Sequence, residues 1–573
     1  MSPEPVPIRT RELVAREEVG RTTISRAAAR ALIAIFLLTI LAVPLAQHVY
    51  VAAEYVAGRR DSPVPYAYSI FDAVPQAVAE AREEGGSPAD RIAAGNRSMV
   101  RFIRNYRAVL EEGSVAVGAI RPYAQFVLTG WLGAGTEDAY VGRDGWLFYR
   151  PTLDYLVGRP FLDPGQLARR AERAAPDGSY PQPDPRPAIL EFHRQLSARG
   201  IRLILVPAPS KPMICPEHFW PGLGPIATPI HNPSFAAFKA EMEREGIPVF
   251  DAAPALLEAK RFRSQFLVAD THWRPDTVEE VAGRLARFIS DGGFLPPRRA
   301  VQYRREADEV TNLGDVARMI RLPDAAQIFP PETVRIEQVL TPQGGLWRPD
   351  RAADVLVLGD SYSNIYSLEA MGWGESAGLV EQLSFALRRP IDAILRNGSG
   401  AYAARELLSR ELARGHDRLA GKRLVIWEFA VRELVDGDWQ LMDMSVGRPP
   451  PQRFIVPPTG SQITVTGRIH SVSHVPRPGK VQYRNHIMSI HLEDLRSAEE
   501  SLANGQALVY TWSMRDQTWT PAARFRPGQE VTLRLRPWRD VADEYEGINR
   551  SEIEDDDGQV TLQEPCWGEV VQP

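Results

Sequence analysis

The chain has 573 residues, too many for a single ordinary domain, so two or three are expected. Apolar residues make up 44% and charged residues 24%, the balance of a folded rather than a disordered protein. The net charge of -5, with no block of Lys and Arg beyond the N-terminus, argues against nucleic acid as the main partner.

Residues 31–46, ALIAIFLLTILAVPLA, carry no charge and follow Arg21, Arg26 and Arg30. With apolar flanks the segment approaches the ~20 residues that cross a bilayer. Its basic flank favours the cytoplasm and sends the following chain outward. A cleaved signal peptide competes with this reading, but the stretch before the apolar core is long for one and Pro44-Leu45-Ala46 is a poor cleavage site. The expectation is a cytoplasmic tail (1–30), one uncleaved inner-membrane anchor (31–50) and everything beyond it in the periplasm.

Residues 51–130 read as a helical, membrane-proximal region, with Ile92, Met99, Phe102, Ile103 and Tyr106 at mostly helical spacing. In Tyr140–Arg150 two apolar pieces flank Asp144-Gly145, the pattern of a hairpin. Ala174–Pro187 holds five prolines and reads as a loop. From Ala188 short apolar runs alternate with amphipathic helices: strands at Ile201–Pro209, Ile247–Ala252, Asp354–Gly359, Ile391–Gly398 and Arg423–Ala430. That alternation predicts βαβ units and a mostly parallel sheet, with ligands beyond the carboxyl ends of its strands. The α/β region is expected to span 131–445, followed by a Pro-rich linker at 446–458. Beyond it, 459–573 changes to period-2 strands, an all-β accessory domain of OB-like barrel or sandwich type. Its Trp512, Trp519, Trp538 and Tyr545 lie among charged residues, which suits either polysaccharide binding or a strand-face core.

Ser361 ends an apolar strand in "DVLVLGDSYS" and precedes a helix. A hydroxyl at that turn is a candidate nucleophile beside free N–H groups able to hold an oxyanion, or else a helix cap. His272 in "DTHW" follows Asp270 by two residues, so Asp270 can hold one ring nitrogen while the other faces the sheet edge. A capping Asp and a surface His would give the same string. Both motifs are predicted at strand ends on one edge of one sheet. Cys215 and Cys566, the only cysteines, lack partners at metal-ligand spacing, so no metal and no cofactor are expected. They form either one disulfide or two buried thiols.

"DTHW" (Asp270–Trp273), "GDSYS" (Gly359–Ser363) and "VIWEFAVREL" (Val425–Leu434), with "VGRDGWLFY" and "VPAPSKPMICPE" upstream, resemble the alginate O-acetyltransferase family of SGNH-hydrolase-like proteins. The resemblance covers roughly 130–440 and implies Ser361 as nucleophile, His272 as base and Asp270 as its orienter. It implies transfer of acetyl groups to an exported polysaccharide, the acetyl being delivered by a membrane-bound acyltransferase. The order Asp, His, Ser is that of a circularly permuted SGNH enzyme, and Asp360 stands where that branch has a Thr. For the oxyanion hole the candidates are the Ser361 N–H with Asn397 or Gly398. Tyr362, Trp273, Lys211 and Arg432 are candidates for substrate contact, with packing as the competing role. The rival functions are a carbohydrate acetyl esterase, a cell-wall acetyltransferase and a non-catalytic polysaccharide-binding component.

Overall fold

A largely aliphatic stretch, uncharged between Arg30 and Glu54, makes the first described helix, Arg26–Val56, whose Leu32, Ile33, Phe36 and Leu37 are exposed. It is the one helix among the described residues long and apolar enough to cross a membrane. The computed structural model describes residues 25–56, 63–83, 87–172, 181–220, 222–223, 226–323, 328–398, 400–448, 454–476, 481, 483–497, 505–516, 518–553, 555 and 560–571. The chain before residue 25, half of the loop predicted at 174–187, the centre of the 446–458 linker and the Arg477–Gly479 turn lie outside the described residues, and the last three residues of that predicted loop instead open the helix Pro185–Ala198. The chain divides into two units, Met1–Ala124 and Gln125–Pro573. In the first, helices Ala73–Glu83 and Pro88–Gly113 approach closely through Ala73, Ala77 and Ala94, all buried.

The second unit opens with β1 (Ala139–Val141) and β2 (Leu147–Tyr149), an antiparallel hairpin at the predicted place. Its turn uses positive φ at Asp144 (54°) and Gly145 (80°), residues that tolerate this conformation. β3 (Arg202–Ala208) follows a helix capped by Asp184. β4 (Arg304–Asn312) and β5 (Glu332–Leu340) form a separate antiparallel ribbon. Sequence periodicity gives no sign of it, because β4, RREADEVTN, has almost no apolar face.

β6 (Val355–Gly359), β7 (Asp392–Leu395) and β8 (Leu424–Ala430) complete a parallel sheet in the order β3-β8-β6-β7. Nearly every residue of these strands is buried, which explains their continuous rather than alternating apolar runs. Two predicted strands are not in this sheet. Ile247–Ala252 makes a single bridge, Leu205 to Val249, because Pro248 removes a ladder donor. The run before Asp270 is a tight loop closed by an antiparallel bridge between Phe266 and Trp273, so "DTHW" is not at a strand end.

Beyond the linker come β9 (Ile463–Val472), β10 (His486–Arg496), β11 (Gly505–Arg515), β12 (Thr518–Trp519), β13 (Glu530–Pro537), β14 (Arg550–Ser551) and β15 (Pro565–Val570). Pairings β9–β10, β10–β11, β11–β15, β15–β13 and β13–β9 close a barrel, not a sandwich. Val465, Ile490, Val509, Leu533 and Leu535 fill it. Cys566 lies in this core and Cys215 in the core of the α/β region, so both are free, buried thiols and no disulfide joins them. The barrel is fastened to the α/β region by charged and polar contacts. Arg418 reaches Asp392 and Glu546, both at 2.8 Å, and Arg396 donates to the Ile548 carbonyl at 2.8 Å.

Candidate active site

β6 ends at Gly359, where the chain must turn sharply against β7. A side chain on Gly359 would stand 2.6 Å from Ser363 Oγ and 2.9 Å from Leu395, so only glycine fits. The short helix Ser361–Asn364 begins at once. Its cap is Asp360, whose Oδ1 accepts from the Tyr362 N–H at 2.8 Å. Asp360 Oδ2 accepts from the Ala430 N–H at 2.7 Å, tying this turn to the end of β8. Glu428 on β8 accepts from the Asp360 N–H at 3.0 Å and from Ser363 Oγ at 2.6 Å. Burial, with the Asp360 charge beside it, pushes the Glu428 carboxyl well above the usual carboxylate range. Capping and anchoring therefore belong to Asp360, Ser363 and Glu428. The Ser361 hydroxyl has no part in them.

Asp270 and His272 fold into a local turn in which Asp270 Oδ1 accepts from both the backbone N–H and Nδ1 of His272, at 3.0 and 2.7 Å. Asp270 Oδ2 accepts from the Asp315 N–H and from Trp373 Nε1, each at 3.0 Å. Burial alone would raise the Asp270 carboxyl, but the hydrogen bonds and charge of His272, with the Asp315 N–H, hold it well below its ordinary value. Burial would lower the His272 imidazole; the Asp270 hydrogen bond and the charges of Asp270, Asp315 and Asp360 outweigh it and raise it above its ordinary value. Because Nδ1 donates to Asp270, the lone pair of neutral His272 sits on Nε2, the nitrogen a general base uses. That Nε2 is buried and has no hydrogen-bond partner among the described residues, so Ser361 Oγ is not bonded to it.

The two motifs meet through side chains rather than through a shared sheet edge. Trp273 Nε1 donates to the Tyr362 carbonyl at 3.0 Å, and Tyr366 Oη to the Trp273 carbonyl at 2.8 Å. The rings of His272 and Tyr362 lie 5.0 Å apart. Ser361, the neighbour of Tyr362, lines a cavity of about 1070 Å³ together with Asp315, Arg318, Gly398, Arg432 and Tyr483.

Of the six secondary candidates, Gly398 and Arg432 line this cavity and four residues do not. Trp273 and Tyr362 are fully buried and spend their polar atoms on backbone, so neither can stack on a sugar. Lys211 is buried with Nζ on the carbonyls of Leu147 and Val268, at 2.8 and 3.1 Å; burial, only partly offset by nearby acids, lowers it to about 8. Asn397 is buried, its Nδ2 against Met371 Sδ and its Oδ1 accepting from Asn364. The Ser361 N–H, in the first turn of its helix, has no intrahelical acceptor. Arg432 lies over the Tyr149 ring at 5.4 Å and has an Nη1 without a hydrogen-bond partner among the described residues.

Sequence reasoning missed Asp315, Trp373, Arg318 and Tyr483. Asp315 Oδ1 also accepts from the Thr271 N–H at 2.7 Å, and burial beside Asp270 raises its carboxyl to about 6. No spacing links these residues to "DTHW"; only the fold does. Gly314 is the one local signal. Its φ is 93° and a side chain would meet the Ala269 carbonyl oxygen at 2.4 Å. Gly314→Ala is expected to cost about 2–4 kcal/mol and to loosen Asp315 from Asp270, read as a lower Tm with reduced activity.

The model of the SGNH hydrolase-like domain, acetyltransferase AlgX, matches residues 139–431. The probable alginate O-acetylase AlgJ of Pseudomonas aeruginosa is 28% identical over 323 residues, covering 53% of this chain and 74% of that protein. Its Azotobacter vinelandii counterpart is 26% identical over 278 residues, 46% of this chain and 68% of that one. Among solved structures, the O-acetyltransferase domain of Pseudomonas putida AlgJ is similar at 21% identity and TM-score 0.39, over 52% of this chain and 92% of its own. Pseudomonas aeruginosa AlgX is similar at 14% identity and TM-score 0.36, over 70% and 90%. With slightly more than half of its length matched by that family model, the chain belongs to the SGNH hydrolase-like acetyltransferases typified by AlgX.

Proposed function

We propose that the protein O-acetylates an exported, alginate-like polysaccharide through an acetyl-Ser361 intermediate. The observation that carries this reading is the Asp270–His272 pair, with a buried and unpartnered Nε2 beside the turn that presents Ser361 to the cavity. When an acetyl donor binds, His272 Nε2 takes the Ser361 proton as Oγ attacks the acetyl carbon, and returns it to the departing group. The sugar hydroxyl then gives its proton to the same Nε2 and attacks the acetyl ester, and Oγ leaves and is reprotonated. The Ser361 and Gly398 N–H groups are the donors for the developing oxyanion. Arg432 and Arg318 on the cavity wall suit an anionic sugar.

In this reading the order Asp270, His272, Ser361 is the permuted SGNH arrangement, and residues 131–445 are the catalytic domain, with 459–573 as an accessory domain. The apolar helix anchors the chain in the inner membrane with the site in the periplasm, where a membrane-bound acyltransferase supplies the acetyl group. Incubation with a chromogenic acetyl ester and a polyuronate acceptor tests transfer. The expected result is acetylated polymer with free acetate as a minor product; acetate release at the same rate with and without acceptor would instead mark an esterase.

A further inference from the structure

The barrel holds a cluster that the proposed chemistry does not use. β9 and β10 pair antiparallel, with Ser471 opposite His491 and Ile469 opposite Leu492, which leaves His470 as an extra, bulged residue. Ile490 and Leu492 point into the barrel, so His491 and Glu493, two apart, share its outer face. The bulge brings His470 onto them. Its Nδ1 lies 3.3 Å from Glu493 Oε2, and its ring centroid is 4.9 Å from that of His491.

The nitrogen of interest is His491 Nδ1. The residue is 5% exposed, its ring is stacked on Phe454, and its Nε2 is held by Gln506 Oε1 at 2.9 Å. That bond puts the ring proton on Nε2 and leaves Nδ1 with a bare lone pair, buried and without a hydrogen-bond partner among the described residues. A buried acceptor of this kind calls for a ligand. A His–Glu ion pair between His470 and Glu493 would explain their approach but would leave Nδ1 unsatisfied. A metal ion satisfies all three, since one lone-pair atom from each of His470, His491 and Glu493 lies within 4.8 Å of the others. The 3.3 Å between His470 Nδ1 and Glu493 Oε2 is close to the separation of about 3.4 Å for two ligands on one tetrahedral zinc. Gln506 then plays the part of the outer partner that fixes a ligand's tautomer and orientation. We propose that His470, His491 and Glu493 bind a divalent transition ion of the zinc class, stapling β9 to β10 with one position left for water.

Two imidazoles and one carboxylate suit zinc and exclude calcium and magnesium, which take oxygen ligands. The three ligands come from two neighbouring strands, His470 from β9 and His491 and Glu493 from β10, so no Cys or His spacing in the sequence signals the set. Arg468 Nη2 stands 3.7 Å from Glu493 but is held by Asp494 at 2.8 Å. The test uses the full chain in detergent, stripped with a chelator and titrated with zinc by calorimetry, with cobalt absorbance as a second readout. His470 and Glu493 are partly exposed, so His470→Ala/Glu493→Gln leaves the barrel core untouched. The expected result is one saturable equivalent, a zinc-dependent rise in Tm, and at least roughly tenfold weaker binding with loss of the Tm rise in the double variant. Absence of stoichiometric binding, or unchanged affinity in the double variant, would overturn the site.

Discussion

Ser361→Ala is expected to lower acetyl transfer by at least roughly 1,000-fold while the protein stays folded. The direction follows from what Ser361 does not do. A strand-end serine before a helix is ordinarily a cap, but here Asp360 caps the helix and Ser363 anchors it to Glu428. Deleting the Ser361 hydroxyl removes no hydrogen bond that holds the turn, so the Tm should stay within a degree or two of the parent. Ser363→Ala is the matching control. It breaks a 2.6 Å bond to a buried carboxyl and should cost about 1–3 kcal/mol, lowering the Tm without deleting the proposed nucleophile. A Ser361 variant that transferred acetyl normally would remove Ser361 from the proposed chemistry.

Asp270 carries the second large effect, and two substitutions separate its contributions. Asp270→Asn keeps the size of the side chain but no longer fixes the proton on Nδ1; a loss of roughly 1,000- to 10,000-fold in kcat/KM is expected. Asp270→Ala also strips the acceptor from two backbone N–H groups, Trp373 Nε1 and His272 Nδ1, a buried loss of about 3–5 kcal/mol. The sign of the pH dependence follows from His272. In the proposed mechanism only neutral imidazole accepts the Ser361 proton, and its conjugate acid is held above the ordinary value of 6.5 by Asp270 and its neighbours. Activity should therefore rise with pH through a limb lying above 6.5 and fall away below it, and the limb should move down in Asp270→Asn.

The parallel sheet was legible because its strands are buried on both faces and read as aliphatic runs between amphipathic helices. The ribbon β4–β5 was not, since a charged strand leaves no periodic trace. Ile247–Ala252 misled for the opposite reason: apolar composition suits a strand, but Pro248 cannot donate into one. In the site, Ser361, His272 and Asp270 could be named because each lies in a short string whose chemistry is local. The groups that hold Asp270 could not, because Asp315 and Trp373 come from segments forty and a hundred residues along, joined to it only by tertiary hydrogen bonds. Trp273 shows the limit of composition: an aromatic next to a candidate base suggests a sugar platform, yet complete burial makes it a strut between "DTHW" and the Ser361 helix.

The central claim is that acetyl rests on Ser361 between donor and acceptor. Its most direct test is to mix the full chain with an activated acetyl ester, without polysaccharide, quench in acid and map the peptides by mass spectrometry. The expected result is the mass of one acetyl group on the peptide bearing Ser361, discharged on adding polymer and absent from His272→Ala. Acetyl found on another residue, or turnover of the ester with Ser361 never modified, would contradict it.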